Sequence, residues 1–234
     1  RSGYFVSKTA PVPASFDPPA RSEKGGIDWS RAIGRRFVSP GWPIRPSNWK
    51  DYPYPFIYGQ ADPRLFSHQT WRQCALQALG QKDFSVLTAD YYEQDDERLL
   101  EYIQRHILPR RGIAARKDQI LITLGAQNAL WMTAQILLTQ RRGAAMENPA
   151  YPGLREILSQ TNVTMPLERR KELLRLAEAR GFVIVEDEYE FELSFQAAPS
   201  PSLKSMDQGG CVIHIGSFSK SLFPGLRLGY VVAS

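Results

Sequence analysis

Apolar residues fall into two rhythms along this chain. Four short runs, 119–123, 182–185, 211–215 and 228–233, are apolar at most successive positions. Runs this short and this continuous predict strands buried on both faces. Elsewhere the spacing is helical. Residues 68–79 set Trp71, Ala75, Leu76 and Leu79 on one side and stop at Gly80. Residues 96–108 align Leu99, Leu100, Ile103 and Ile107, and Pro109 closes the helix. Residues 126–138 are apolar almost all round, as a core helix is, and 166–179 are amphipathic, with Pro166 in the first turn and Gly181 past the end. Strands alternating with helices predict an α/β fold: a mostly parallel central sheet with helices on both faces. Residues 1–55, rich in Pro, Ser, Gly and aromatic residues without periodicity, predict a linker or arm, which leaves 56–234 as the folded domain.

Composition narrows the class rather than the function. The chain has 234 residues, 43% hydrophobic and 23% charged, which is the balance of an ordinary globular protein. No run approaches the roughly 20 apolar residues of a membrane span. Net charge is +5, and the basic groups at Arg35-Arg36, Arg110-Arg111, Arg141-Arg142 and Arg169-Arg170-Lys171 stay below the about 5–8 residues of a nucleic-acid patch. They predict solvated helix faces and ends. Cys74 and Cys211 lie far apart, and His68, His106 and His214 form no ligand cluster. A cytoplasmic protein without disulfides or a metal site is expected.

In sheets of this kind, ligands gather beyond the carboxyl ends of the strands. The residues at those places are chemical ones: Gly125-Ala126-Gln127, Glu186-Asp187-Glu188-Tyr189, and Ser217-Phe218-Ser219-Lys220. A lysine held against a buried strand is desolvated, which lowers its pKa and suits it to Schiff-base chemistry. Ser217 and Arg227 flank it, and a hydroxyl and a guanidinium fork both suit a phosphate. A glycine turn from strand into helix offers free N–H groups and the positive end of the helix dipole, which is an anion site.

The string GSFSKSLFPGLRLGY, residues 216–230, is similar to the lysine motif of fold-type I aminotransferases, which use pyridoxal 5'-phosphate (PLP). It most resembles the MocR/GabR-type regulators of the GntR family and the aminoadipate/kynurenine group. The resemblance makes Lys220 the residue that carries PLP as an internal aldimine and the catalytic residue. It also places Ser217, Ser219 and Arg227 among the cofactor-binding residues. The run Glu186-Asp187-Glu188-Tyr189 resembles the family's E-D-D-Y, with Glu188 where a second Asp is usual. That implies Asp187 as the partner of the pyridine nitrogen and Tyr189 as the partner of the ring oxygen. Residues 123–130, TLGAQNAL, resemble the family's phosphate turn and bring in Gly125, Ala126 and Gln127. Tyr151, after Asn148-Pro149, matches the aromatic residue that stacks on the ring. Asp90-Tyr91-Tyr92-Glu93 stands where relatives have Tyr-Gly-Asp, and the match does not choose between the tyrosines.

The resemblance covers residue 56 to the end and is interrupted. Near Gln160 dozens of family positions are missing, and the carboxy-terminal small domain and the winged helix lie outside the chain. The expected function is a PLP-binding, aminotransferase-like effector domain of a GntR/MocR-type transcription regulator. It would be homodimeric, would bind an amino acid or amine, and would meet DNA only through the winged helix. The alternatives are a free-standing aminotransferase of 2-amino acids and a cofactor-free dimerising scaffold.

Overall fold

The computed structural model describes residues 46–57, 62–89, 94–138, 143–146, 167–188 and 201–234, all within one compact unit, Pro43–Ser234. The helices are α1 (His68–Ala78), α2 (Gln81–Thr88), α3 (Glu97–Tyr102), α4 (Ala126–Leu137), α5 (Leu167–Arg180) and α6 (Leu203–Met206). The strands are β1 (Ile120–Thr123), β2 (Ile184–Glu188), β3 (Val212–Ser217) and β4 (Gly229–Val232). The helix over 81–88 and the short one at 203–206 add to the elements expected from periodicity.

The four strands form one sheet in the order β1-β4-β3-β2. β2 pairs parallel with β3, while β4 lies antiparallel between β1 and β3. Three strands therefore share one direction, and β4 alone is reversed. The reason lies in the connection. Only residues 218–228 separate β3 from β4, and a parallel return needs a crossover of about a dozen residues or more, usually a helix. The chain turns back instead, and Phe218 N–H donates to Leu228 O at 3.1 Å, extending the ladder into the turn.

Alternation along the strands gives the sheet two chemically different faces. On one, α4 packs Ala129 and Leu130 against Ile215, joined by Ala126, Ile213 and Val231. On the other, Ile103, Ile107, Leu108 and Ile113 pack against Ile120, Phe218, Tyr230 and Val232, and beside them Leu174 and Ala177 of α5 cover Ile184 and Val212. Each fully buried Ile or Leu contributes about 1.5–3 kcal/mol.

Pro109 does not close the third helix. α3 widens into a π-turn at Ile103–Ile107, then tightens into a 3₁₀ turn at Leu108–Arg111, and ends at Gly112 with φ 68°. Proline lacks an N–H and its ring collides with the carbonyl four residues back. The widened turn, in which Leu108 N–H reaches Ile103 O, carries the chain past that obstacle. It also delivers Arg111 into the interior, where it is 5% exposed. The expectation of a solvated Arg110-Arg111 pair is thus corrected for its second member.

Candidate functional site

Strand direction alone gathers the candidate residues. Thr123, Gly229 and Ser217 lie in one row across β1, β4 and β3, and Glu188 pairs with Gly216 one step back. Gly125 lies two residues past β1, Lys220 three past β3, Arg227 two before the reversed β4, and Asp187 is the penultimate residue of β2. All four therefore belong to one edge of the sheet. Asp187 pairs with Ile215, so the two side chains share the face that α4 covers.

The amino end of α4 carries the first half of the site. Gly125 precedes it with φ 84°, a conformation that costs an L side chain dearly. A Cβ there would lie 3.2 Å from an Nη atom of Arg227, so the guanidinium rests directly against the turn. Arg227 is itself left-handed, at φ 53°, the one non-glycine residue of positive φ among the described residues. Strain of that kind is concentrated at ligand sites. The opening amides of an α-helix have no partner within the helix, so Ala126 and Gln127 stand where an anion would be held, with Arg227 alongside. Gly229 makes this approach possible. A Cβ on it would meet the carbonyl carbon of Gly125 and the oxygen of Gly216, each at 2.9 Å.

Ser217 ends β3, and its hydroxyl accepts the Ser219 N–H at 3.1 Å, shaping the turn into Lys220. Lys220 and Ser219 are half-buried there. Phe223, just beyond, packs edge-on against Phe66 and Trp71, with centroids 5.2 and 5.0 Å apart, and so ties this loop to α1.

The acid run at the end of β2 splits across the sheet. Strand alternation puts Glu186 and Glu188 on the far face and Asp187 on the α4 face. Glu188 accepts a bidentate guanidinium from Arg111, with Nε–Oε2 at 2.7 Å. Glu186 accepts Leu203 N–H at 2.6 Å and Lys204 N–H at 3.1 Å, and His214 Nδ1 lies 3.2 Å from it. Burial pushes the Glu186 carboxyl up, but His214 and those two amides outweigh burial and hold it below the ordinary range. Asp187 has no such company. Its Oδ1 is buried without a hydrogen-bond partner. Burial pushes its carboxyl up to about 6, with the charge of His214 pulling the other way.

A basic ring nitrogen is the natural complement of such an oxygen, and an anionic group is that of the Gly125–Arg227 corner. The residues present thus fit PLP, with phosphate and ring partners on the same sheet edge. Tyr151, Tyr189, Tyr91, Tyr92 and the junction near Gln160 lie outside the described residues. The ion network of Arg111, Glu186, Glu188 and His214 was not foreseen. Local sequence does not distinguish Arg111 from Arg110, and the one hint was three successive carboxylates at the end of an apolar strand.

No family model matches the chain. It is 51% identical over 269 residues to the HTH-type transcriptional regulator TauR of Rhodobacter capsulatus, covering 100% of this chain and 55% of that protein. It is 26% identical over 214 residues to the "Probable rhizopine catabolism regulatory protein MocR" of Rhizobium meliloti, covering 76% of this chain and 43% of the relative. The chain thus spans about half the length of the curated relatives it matches. The TauR alignment has 269 positions against 234 residues here, so 35 of them have no counterpart in this chain. In structure it is similar to LysN, the alpha-aminoadipate aminotransferase of Thermus thermophilus solved with N-(5'-phosphopyridoxyl)-L-leucine. The TM-score is 0.70 at 24% identity, covering 89% of this chain and 63% of LysN, a likeness of fold.

Proposed function

We propose that the chain is the PLP-binding, aminotransferase-like effector domain of a GntR/MocR-type transcription regulator, a reading supported by its similarity to TauR and MocR and by its likeness in fold to LysN. The observation that carries this reading is that a buried, unpartnered carboxylate oxygen, Oδ1 of Asp187, and the Gly125–Arg227 corner lie on the same edge of the sheet, the edge that also bears Lys220. Bound there, PLP supplies an aldehyde for a lysine amine and a ring that can take up electrons.

The chain's own residues do the rest. The amides of Ala126 and Gln127 at the head of α4, with Arg227 and Ser217, hold the phosphate and fix the depth of entry. Asp187 keeps a proton on the ring nitrogen, because an ionised carboxylate in a half-buried place gains most from a cationic partner. Lys220 supplies the amine and sits where a phosphate-anchored aldehyde meets it at high effective concentration. Tyr151 and Tyr189 are assigned the ring face and the ring oxygen by their match to the family pattern. The ligand is an amino acid or amine, and DNA is met through a helix-turn-helix segment outside these residues. The domain arrangement is a linker over 1–55 and the PLP-binding domain over 56–234, in a cytoplasmic homodimer. Among the described residues no helix is long and apolar enough to cross a membrane.

The test is the visible spectrum of the full-length protein. A band from lysine-linked PLP is expected, with borohydride fixing the cofactor to the peptide that holds Lys220. Lys220→Ala removes the band, while PLP is still retained weakly through its phosphate. A borohydride-reducible adduct that survives Lys220→Ala would transfer the role to another lysine.

A further inference from the structure

We propose that His214, buried on the face of the sheet away from the candidate site, is a positioning residue for Asp187: it holds Glu186 while Arg111 holds Glu188, and the two carboxylates that bracket Asp187 in β2 are thereby fixed on the far face. The inference rests on the reading of Asp187 as the partner of the cofactor ring. His214 is 0% exposed, and its register partner across the parallel pair is Glu186. Its Nδ1 lies 3.2 Å from Glu186 Oε2 and 3.9 Å from Glu188 Oε2. Its Nε2 is buried without a hydrogen-bond partner. The other groups that face this cluster come from every element packed on it. They are the Tyr230 ring of β4, centroid 6.1 Å from the imidazole, Arg170 of α5 at 3.9 Å from Glu186, the Leu203 and Lys204 amides of α6, and Arg111 on Glu188.

Three carboxylates in a row on one buried strand end would repel one another and the strand would fray or twist. Here the outer two are each given a cationic or hydrogen-bonding partner on one face. Only the middle one is left to look toward the site, with an oxygen unengaged. Alternation alone would aim Asp187 toward α4, but it would not hold it there. The bonds on both neighbours fix the backbone on either side of it, and the imidazole places a titratable group just across the sheet from its carboxyl.

The experiment compares four full-length proteins without cofactor: the natural one, Asp187→Asn, His214→Leu and the double variant. The pH dependence of the Tm difference made by Asp187→Asn reports the ionisation of Asp187. In the natural background this difference should level off near pH 6. His214→Leu fills the space but removes the hold on Glu186, and in its background the bend should move up by about half a pH unit or more, roughly a threefold change in proton affinity. A purely packing role for His214 leaves the bend in place, and that result overturns the proposal. If His214→Leu does not fold, Glu186→Gln is added. Recovered folding supports a partner role for His214, and continued failure to fold means that it only fills space. A second readout is the preference for PLP over its 1-deaza analogue, which lacks the ring nitrogen. That preference should shrink at least several-fold in His214→Leu, and an unchanged preference counts against the proposal. Were the natural protein to bind neither compound, the cofactor reading would fail while the Tm series still decided the link between His214 and Asp187.

Discussion

Asp187 sets a conflict between stability and binding within a single side chain. Its carboxyl is pushed up to about 6 from an ordinary 3.8, with burial as the leading cause. The group is therefore most comfortable protonated. Its contribution to stability is fully present below pH 3.8, is lost as pH rises through about 6, and stays lost at neutral pH. A shift of this size corresponds to about 3 kcal/mol, to order of magnitude. Asp187→Asn should thus raise the stability of the cofactor-free protein above pH 7 by up to about that amount and do little below pH 4. Urea unfolding at the two pH values checks it, and equal effects at both would refute it. The same variant should weaken PLP binding and its chemistry, because the ring nitrogen loses its carboxylate.

Among the elements, backbone meets backbone where the β1–α4 turn, the start of β4 and the end of β3 converge at Gly229. The atoms 2.9 Å from a would-be Cβ are backbone atoms of Gly125 and Gly216, so no side chain can rotate out of the way. Gly229→Ala should cost about 1–3 kcal/mol by overpacking and should move Gly125 away from Arg227. Denaturant unfolding with a phosphate-competition assay for PLP tests both effects, and a stability within about 0.5 kcal/mol of the natural protein would show that the strands can part. The π-turn at Ile103–Ile107 works in a similar way on the far face. One proline forces a detour, and the detour takes Arg111 to Glu188.

At the scale of the whole molecule, the single chain leaves large apolar side chains in the open. Phe56 is 98% exposed, Leu65 86% and Tyr54 78%, with Leu76 and Leu79 of the α1 region above 60%. An exposed set of this size fits association with a second copy. The full-length protein is expected to be a homodimer at micromolar concentration by sedimentation. A monomer that still held PLP would count against both the dimer and a site placed near its interface.

Sequence by itself determined what depends on near neighbours. Strands announce themselves by short, nearly continuous apolar runs, so β1, β3 and β4 lie where the pattern puts them, within a residue or two. The pattern starts β2 two residues early and ends it three residues short, because its charged end, Glu186-Asp187-Glu188, is part of the strand and polar residues hide a strand end from a hydrophobicity pattern. The candidate residues were legible as well, since glycine turns, a lysine after a strand and a carboxylate run have chemistry that needs no partner to be recognised. Tertiary structure decided what depends on distant partners. It reversed β4, because the length of the connection and not the strand's own residues sets direction. It split the acid run across the two faces, placing Arg111, 77 residues away in sequence, on Glu188 and His214 on Glu186. It left Oδ1 of Asp187 buried without a hydrogen bond, because the energy of a buried charge is fixed by what surrounds it in space, and a linear pattern carries no record of that.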